Sequence, residues 1–224
     1  MSKTILVVVA HADDEALGCG GTIARHVSEG NKVHVLILAD GVSSRGKDIN
    51  CFELEVRHRA FENAKNILGV QKAVFLGYPD NKMDTVPLLE VVKRIEREID
   101  ELKPETIYTH HYGDLNIDHR ITHQAVMTAC RATPSIFLKE ILTFEVMSST
   151  EWNSVGVNPF IPNLFVDISF FLDIKIKSLE AYSEEMRQVP HSRSLEHQIV
   201  LARHRGYSVG LNAAEAFMVM RILR

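Results

Sequence analysis

Six consecutive residues, Ala10-His11-Ala12-Asp13-Asp14-Glu15, set an imidazole and three carboxylates directly after an apolar, β-branched run. His11 and Asp14 are three positions apart, close enough in a tight loop for a ring nitrogen and a carboxylate oxygen to meet one cation. A lone histidine beside acids is ordinarily just solvated, and the buried strand in front of this one is what argues otherwise. A second polar burst runs Thr109-His110-His111-Tyr112-Gly113-Asp114-Leu115-Asn116-Ile117-Asp118-His119-Arg120, again after a short apolar stretch. Two imidazoles and a carboxylate with an open position suit catalytic zinc, and iron, cobalt or manganese can be held the same way. Such an ion acidifies a water and polarises an attacked carbonyl. A carboxylate beside a ligand can take the water's proton. With Asp14 spent on the metal, Asp13 is the expected base, and hydrolysis of an amide or ester is the expected reaction class.

Both clusters can act together only if the fold brings them to one edge. Residues 4–10, 33–39, 72–76, 106–109 and 140–146 read as strands, the first two as continuous apolar runs buried on both faces. Between them, residues 21–29, 53–68, 86–102 and 117–131 read as helices, with Gly30 and Gly69 as C-terminal stops. This alternation predicts an α/β fold: a Rossmann-like, mostly parallel sheet with helices on both faces, a three-layer sandwich. In a doubly wound sheet ordered 3-2-1-4-5, the first and fourth strands are neighbours where the order reverses, and ligands bind outside their carboxyl ends. The two polar clusters are therefore expected to face one crevice. Beyond residue 150 the pattern weakens to a loop at 153–163, a further strand at 164–168 and helices at 172–186 and 195–204. No linker or repeat divides the chain, so one domain over residues 1–224 is expected.

The composition narrows the remaining classes. The chain has 224 residues, 46% hydrophobic and only 7% aromatic, enough for a core of Val, Ile, Leu and Ala without disulfide or metal staples. Its net charge of -4 comes from acids and bases mixed along the chain. Neither a nucleic-acid partner nor membrane insertion is expected from such mixing. Cys19, Cys51 and Cys130 are scattered, odd in number and free of any CxxC, which fits a reducing cytoplasm. The apolar run at the start is too short for a signal peptide.

The Ala10–Glu15 segment, Gly18-Cys19-Gly20-Gly21-Thr22 after it, and Asp114–Arg120 together resemble the LmbE/PIG-L family of zinc-dependent N-acetylglucosamine de-N-acetylases. The later Ser148–Trp152 and Ala214–Phe217 are also similar to some members. The resemblance implies that His11, Asp14 and His119 are the metal ligands and Asp13 the base. It implies Zn2+, or another divalent transition metal, as cofactor. It also implies a small-molecule amino-sugar substrate whose acetamide is hydrolysed. Asp118, adjacent to His119, is expected to orient that imidazole.

One departure has chemical weight. Several members have a histidine three residues before the third ligand, as acid or oxyanion stabiliser, and here that position is Asn116. An amide can hydrogen-bond an oxyanion but cannot donate a proton to a leaving amine. Asn116 is therefore expected to touch substrate, and the acid is sought elsewhere: His191 first, His111 second. Arg45 and Asp84, in loops on the ligand edge, are further expected substrate contacts, with Asp80 as the alternative carboxylate. Arg57-His58-Arg59 reads as an exposed helix face. A nucleotide-binding oxidoreductase on the same fold is the first rival, weakened because the glycines fall as GxGG and not GxGxxG. A metal-binding module without catalysis is the second, and a metal-dependent phosphohydrolase the third. A homo-oligomer remains open.

Overall fold

In a computed structural model of the chain, residues 2–44, 51–132, 137–154 and 156–224 are described. Seven strands form one sheet in the order β3-β2-β1-β4-β5-β7-β6. They are β1 (Thr4–Val9), β2 (Lys32–Ala39), β3 (Lys72–Tyr78), β4 (Thr106–His110), β5 (Glu140–Phe144), β6 (Leu164–Asp167) and β7 (Ala214–Ile222). The helices are α1 (Asp14–Ser28), α2 (Cys51–Leu68), α3 (Leu88–Leu102), α4 (Ile117–Ala129), α5 (Leu172–Glu180) and α6 (Leu195–Tyr207). The first five strands are mutually parallel, as the alternating pattern predicts.

Side chains two apart on a strand share a face, and the sheet sorts its core accordingly. Ile5, Val7, Val9, Val33, Val35 and Ile37 pack with Ile23 of α1, Phe61 of α2 and Leu179 of α5. Leu6, Val8, Leu36 and Leu38 pack on the opposite face with Val91 and Ile95 of α3 and Ala125 and Val126 of α4. That is why β1 and β2 lack polar alternation: both faces are covered. Each fully buried aliphatic side chain contributes about 1.5–3 kcal/mol relative to exposure. Among the described residues, no helix is long and apolar enough to cross a membrane.

The helix read over 172–186 ends at Glu180, and the structure departs further from the sequence reading at two places. α1 starts at Asp14, not Gly21, and takes in the glycines; its helical geometry breaks at Cys19 (φ -148°, ψ 25°). The amides of Gly21 and Thr22, freed by the break, donate to the Glu215 carboxylate at 3.0 and 2.7 Å. Glu215 is in turn paired with buried Lys175. A side chain on Gly21 would meet Ile168 at 2.8 Å, so only glycine lets α1 lie this close. The second departure is β7, which has no counterpart in the sequence reading. It runs antiparallel to both β5 and β6 and turns the parallel sheet into a mixed one.

Candidate metal centre

Because β1 and β4 are parallel and adjacent, Val7 facing Tyr108, both chains leave the sheet at the same edge. The two polar segments therefore meet there. The backbone N–H of Ala10 donates to Nε2 of His110 at 2.9 Å and ties the two strand ends together.

His11, Asp14 and His119 are buried, and one ligand atom from each lies within 4.8 Å of the others. Asp14 Oδ2 is 3.3 Å from His11 Nδ1 and 3.4 Å from His119 Nε2. It also accepts the His11 backbone N–H at 2.8 Å. Its other oxygen, Oδ1, is buried with no hydrogen-bond partner. A buried carboxylate oxygen without a donor is costly unless a cation takes it, so the residues present fit a bound ion. Burial opposes charge on His119, but Asp14 and Asp114 outweigh it and raise the imidazole to about 9. His110 stacks on His119 with ring centroids 3.9 Å apart. Burial and the His119 charge lower it to about 4. His110 is thus neutral, and its Nε2 lone pair is spent on Ala10.

Carboxylates behind the imidazoles fix their orientation. His11 Nε2 is 3.1 Å from Asp118 and 3.0 Å from Asp80. His119 Nδ1 is 3.2 Å from Asp114, which accepts hydroxyl bonds from Ser149 and Thr150. The expected pairing of Asp118 with its neighbour His119 is therefore revised: Asp118 supports His11, and Asp114 supports His119. Adjacent residues at the start of α4 point to different sides of the helix, about 100° apart. Asp118 is also buried under the backbone N–H groups of Asn81 and Met83.

Asp13 carries a positive φ of 140°, a strained backbone for a side-chain-bearing residue. Its amide donates to Glu15 Oε2 at 3.0 Å, and its carbonyl accepts from Ala16 and Leu17 at the start of α1. Its carboxylate sits between two guanidinium groups, Oδ1 at 3.2 Å from Arg57 and Oδ2 at 3.1 Å from Arg193. Burial raises the Asp13 carboxyl against the pull of both arginines. Arg57 is buried and shared with Glu185, so the reading of its segment as an exposed face is overturned at this residue. Glu15, raised to about 7 by burial, accepts the Tyr182 hydroxyl at 2.5 Å.

The remaining expected contacts divide. Asn116 caps α4, its Oδ1 accepting from the Asp118 amide at 2.8 Å while Nδ2 donates to Asn81. His191 Nδ1 accepts from the Arg193 amide at 3.0 Å, and its ring meets the edge of Trp152. His111 is held by its Nε2 on the Asn158 carbonyl at 2.7 Å. Asp84 is exposed on a 3-10 turn, Met83–Thr85, and the carboxylate that this segment contributes to the cluster is Asp80. Arg45 lies outside the described residues. The sequence reading assigns no site role to Arg57, Arg193 or Asp114. Only Asp114 carried a signal, as an acid inside the second polar burst.

Residues 6–130, more than half of the chain, match the GlcNAc-PI de-N-acetylase (PIG-L) family. The chain belongs to this family. Other PIG-L-like chains extend the likeness beyond the matched segment. The uncharacterized deacetylase YaiS of Escherichia coli (strain K12) is 29% identical over 188 residues, 80% of this chain and 90% of that protein. The diacetylchitobiose deacetylase of Thermococcus kodakarensis is 26% identical over 194 residues, covering 82% of this chain and 70% of its own. The crystal structure of the conserved protein TT1542 from Thermus thermophilus superposes with a TM-score of 0.78 at 26% identity. That superposition covers 99% of this chain and 96% of the other. The PIG-L match contains both polar segments, β4 and all but the first two residues of β1.

Proposed function

We propose that the chain removes the acetyl group from an N-acetylated amino sugar, with a divalent metal held by His11, Asp14 and His119. The observation that carries this reading is the buried triad with its orphaned Asp14 oxygen and Asp13 beside it, in a PIG-L family chain. Zinc is the favoured ion from the ligand types, and when bound it would acidify a water and polarise the acyl oxygen. Asp13 would take the water's proton. Asp118 and Asp114 would hold the two imidazoles in their liganding orientation. A diacetylchitobiose deacetylase and a probable N-acetyl-alpha-D-glucosaminyl L-malate deacetylase among the relatives favour an N-acetylglucosaminyl substrate. Three free cysteines favour a reducing, cytoplasmic location.

The test is acetate release from a panel of N-acetylglucosamine derivatives by as-purified, chelator-treated and zinc-restored protein, alongside metal content. Acetate release lost on chelation and restored by zinc supports the reading. One equivalent of metal with no acetate from any sugar removes the deacetylase function and leaves a binding protein or a hydrolase of other specificity.

A further inference from the structure

A guanidinium group on each oxygen of Asp13 opposes its taking up a proton. Of the two arginines, Arg57 is fixed. Its side chain is 7% exposed, it sits on α2, and its second partner Glu185 holds it from the far side. Arg193 is different. Its side chain is 20% exposed, it lies in the loop ahead of α6, and its other side-chain bond is from Nε to the Ser148 hydroxyl at 2.8 Å. Ser148 directly precedes Ser149 and Thr150, whose hydroxyls hold Asp114 behind His119. Arg193 therefore links Asp13 to the segment whose hydroxyls hold Asp114 behind His119.

We propose that Arg193 is a catalytic residue that leaves Asp13 Oδ2 for the acyl oxygen of the substrate as negative charge moves there. This rests on the hydrolytic reading above. Water attacks the acetamide carbon and gives one proton to Asp13 Oδ2. The carbonyl π pair moves onto the acyl oxygen. Asp13 becomes neutral as that oxygen becomes an anion, so the guanidinium follows the charge. When the C–N bond breaks, its electron pair stays on nitrogen, which takes the proton back from Asp13. The C=O bond re-forms, giving the free amine and acetic acid. Asn116, whose amide is committed to capping α4 and to Asn81, supplies neither charge nor proton. A cation at Arg193 supplies the charge that this position lacks, and Asp13 returning its proton removes the need for a separate acid.

The experiment compares wild type, R193A and R193K, with melting temperature and metal content measured for each. The wild type and R193A are also titrated with methylphosphonate, a tetrahedral anion resembling the intermediate. Expected are a fall in kcat of about a hundredfold in R193A, KM within a few-fold, and partial recovery in R193K or on adding ethylguanidine. Methylphosphonate affinity should fall at least tenfold in R193A. Unchanged or increased kcat in R193A with unchanged methylphosphonate affinity overturns the proposal. So does a loss confined to KM. If wild type releases acetate from no sugar, the titration still decides. Weakened binding in R193A keeps the anion-binding role and only the deacetylase reading falls, whereas equal binding removes Arg193 as well.

Discussion

Asp118 Oδ2 lies 3.1 Å from Nε2 of His11, although 107 positions separate them in the chain. An ionised carboxylate only accepts, so Nε2 carries a hydrogen, and once the ring is neutral, as a metal ligand must be, the lone pair of Nδ1 faces Asp14's side of the cluster. Asp118→Asn keeps the size and loses the charge. The expected result is a metal affinity lower by about 10–100-fold, read by competition with a chromophoric chelator. Equal affinity would show that Asp118 serves only to anchor the Asn81 and Met83 amides.

Metal uptake should release protons. His119, lowered by burial but raised further by Asp14 and Asp114, titrates at about 9 in the metal-free protein, and a ligand imidazole must be neutral. Below pH 9 at least one proton therefore leaves as the ion enters, and apparent affinity falls as pH falls. Calorimetry in buffers of different ionisation enthalpy measures the release, and a flat affinity between about pH 6 and 9 would sink the idea. The same group gives a stability effect of definite sign. Its pKa is raised on folding, so its contribution is full below about 6.5 and is lost as pH rises through 9. Chelated protein should show that decline in melting temperature, and zinc-loaded protein should not.

Asp13→Asn should retain one equivalent of metal while kcat falls by about 10²–10⁴. Metal analysis and acetate release on the same preparation make the comparison. Full activity in this variant would favour a metal-binding module over a hydrolase that uses Asp13.

Gly18→Ala tests the close packing inside α1. A methyl there would overlap the Phe144 ring, and Gly18 and Phe144 are both buried. Overpacking of this kind costs about 1–3 kcal/mol, to be read as a lower denaturant midpoint with unchanged slope. An unchanged midpoint would mean that α1 can shift outward without loss.

Much of this molecule is legible in one dimension because its physics is local. The runs Thr4–Val9 and Lys32–Ala39 are β-branched and aliphatic almost throughout, and a strand covered on both faces leaves no other pattern. The first polar burst follows its strand directly, so chain connectivity alone puts His11, Asp13 and Asp14 at the carboxyl edge. The second follows β4, and the switch-point rule brings the two together. What the sequence could not decide depends on direction and distance. Whether Asp118 faces His119 or His11 is set by the rotation of α4. Whether Arg57 is solvated or clamped on Asp13 is set by how α2 lies against the 182–185 segment. Arg193 meets Asp13 across 180 positions of chain, with nothing local in either residue to announce it. β7 is hidden for the same reason: its partners are β5 and β6, and Glu215 reads as a surface acid until α1 breaks at Cys19 and presents two amides to it. The sequence by itself determined the parallel strands β1 to β5 and the atoms available at their ends, whereas tertiary packing decided where β7 pairs and which charges meet.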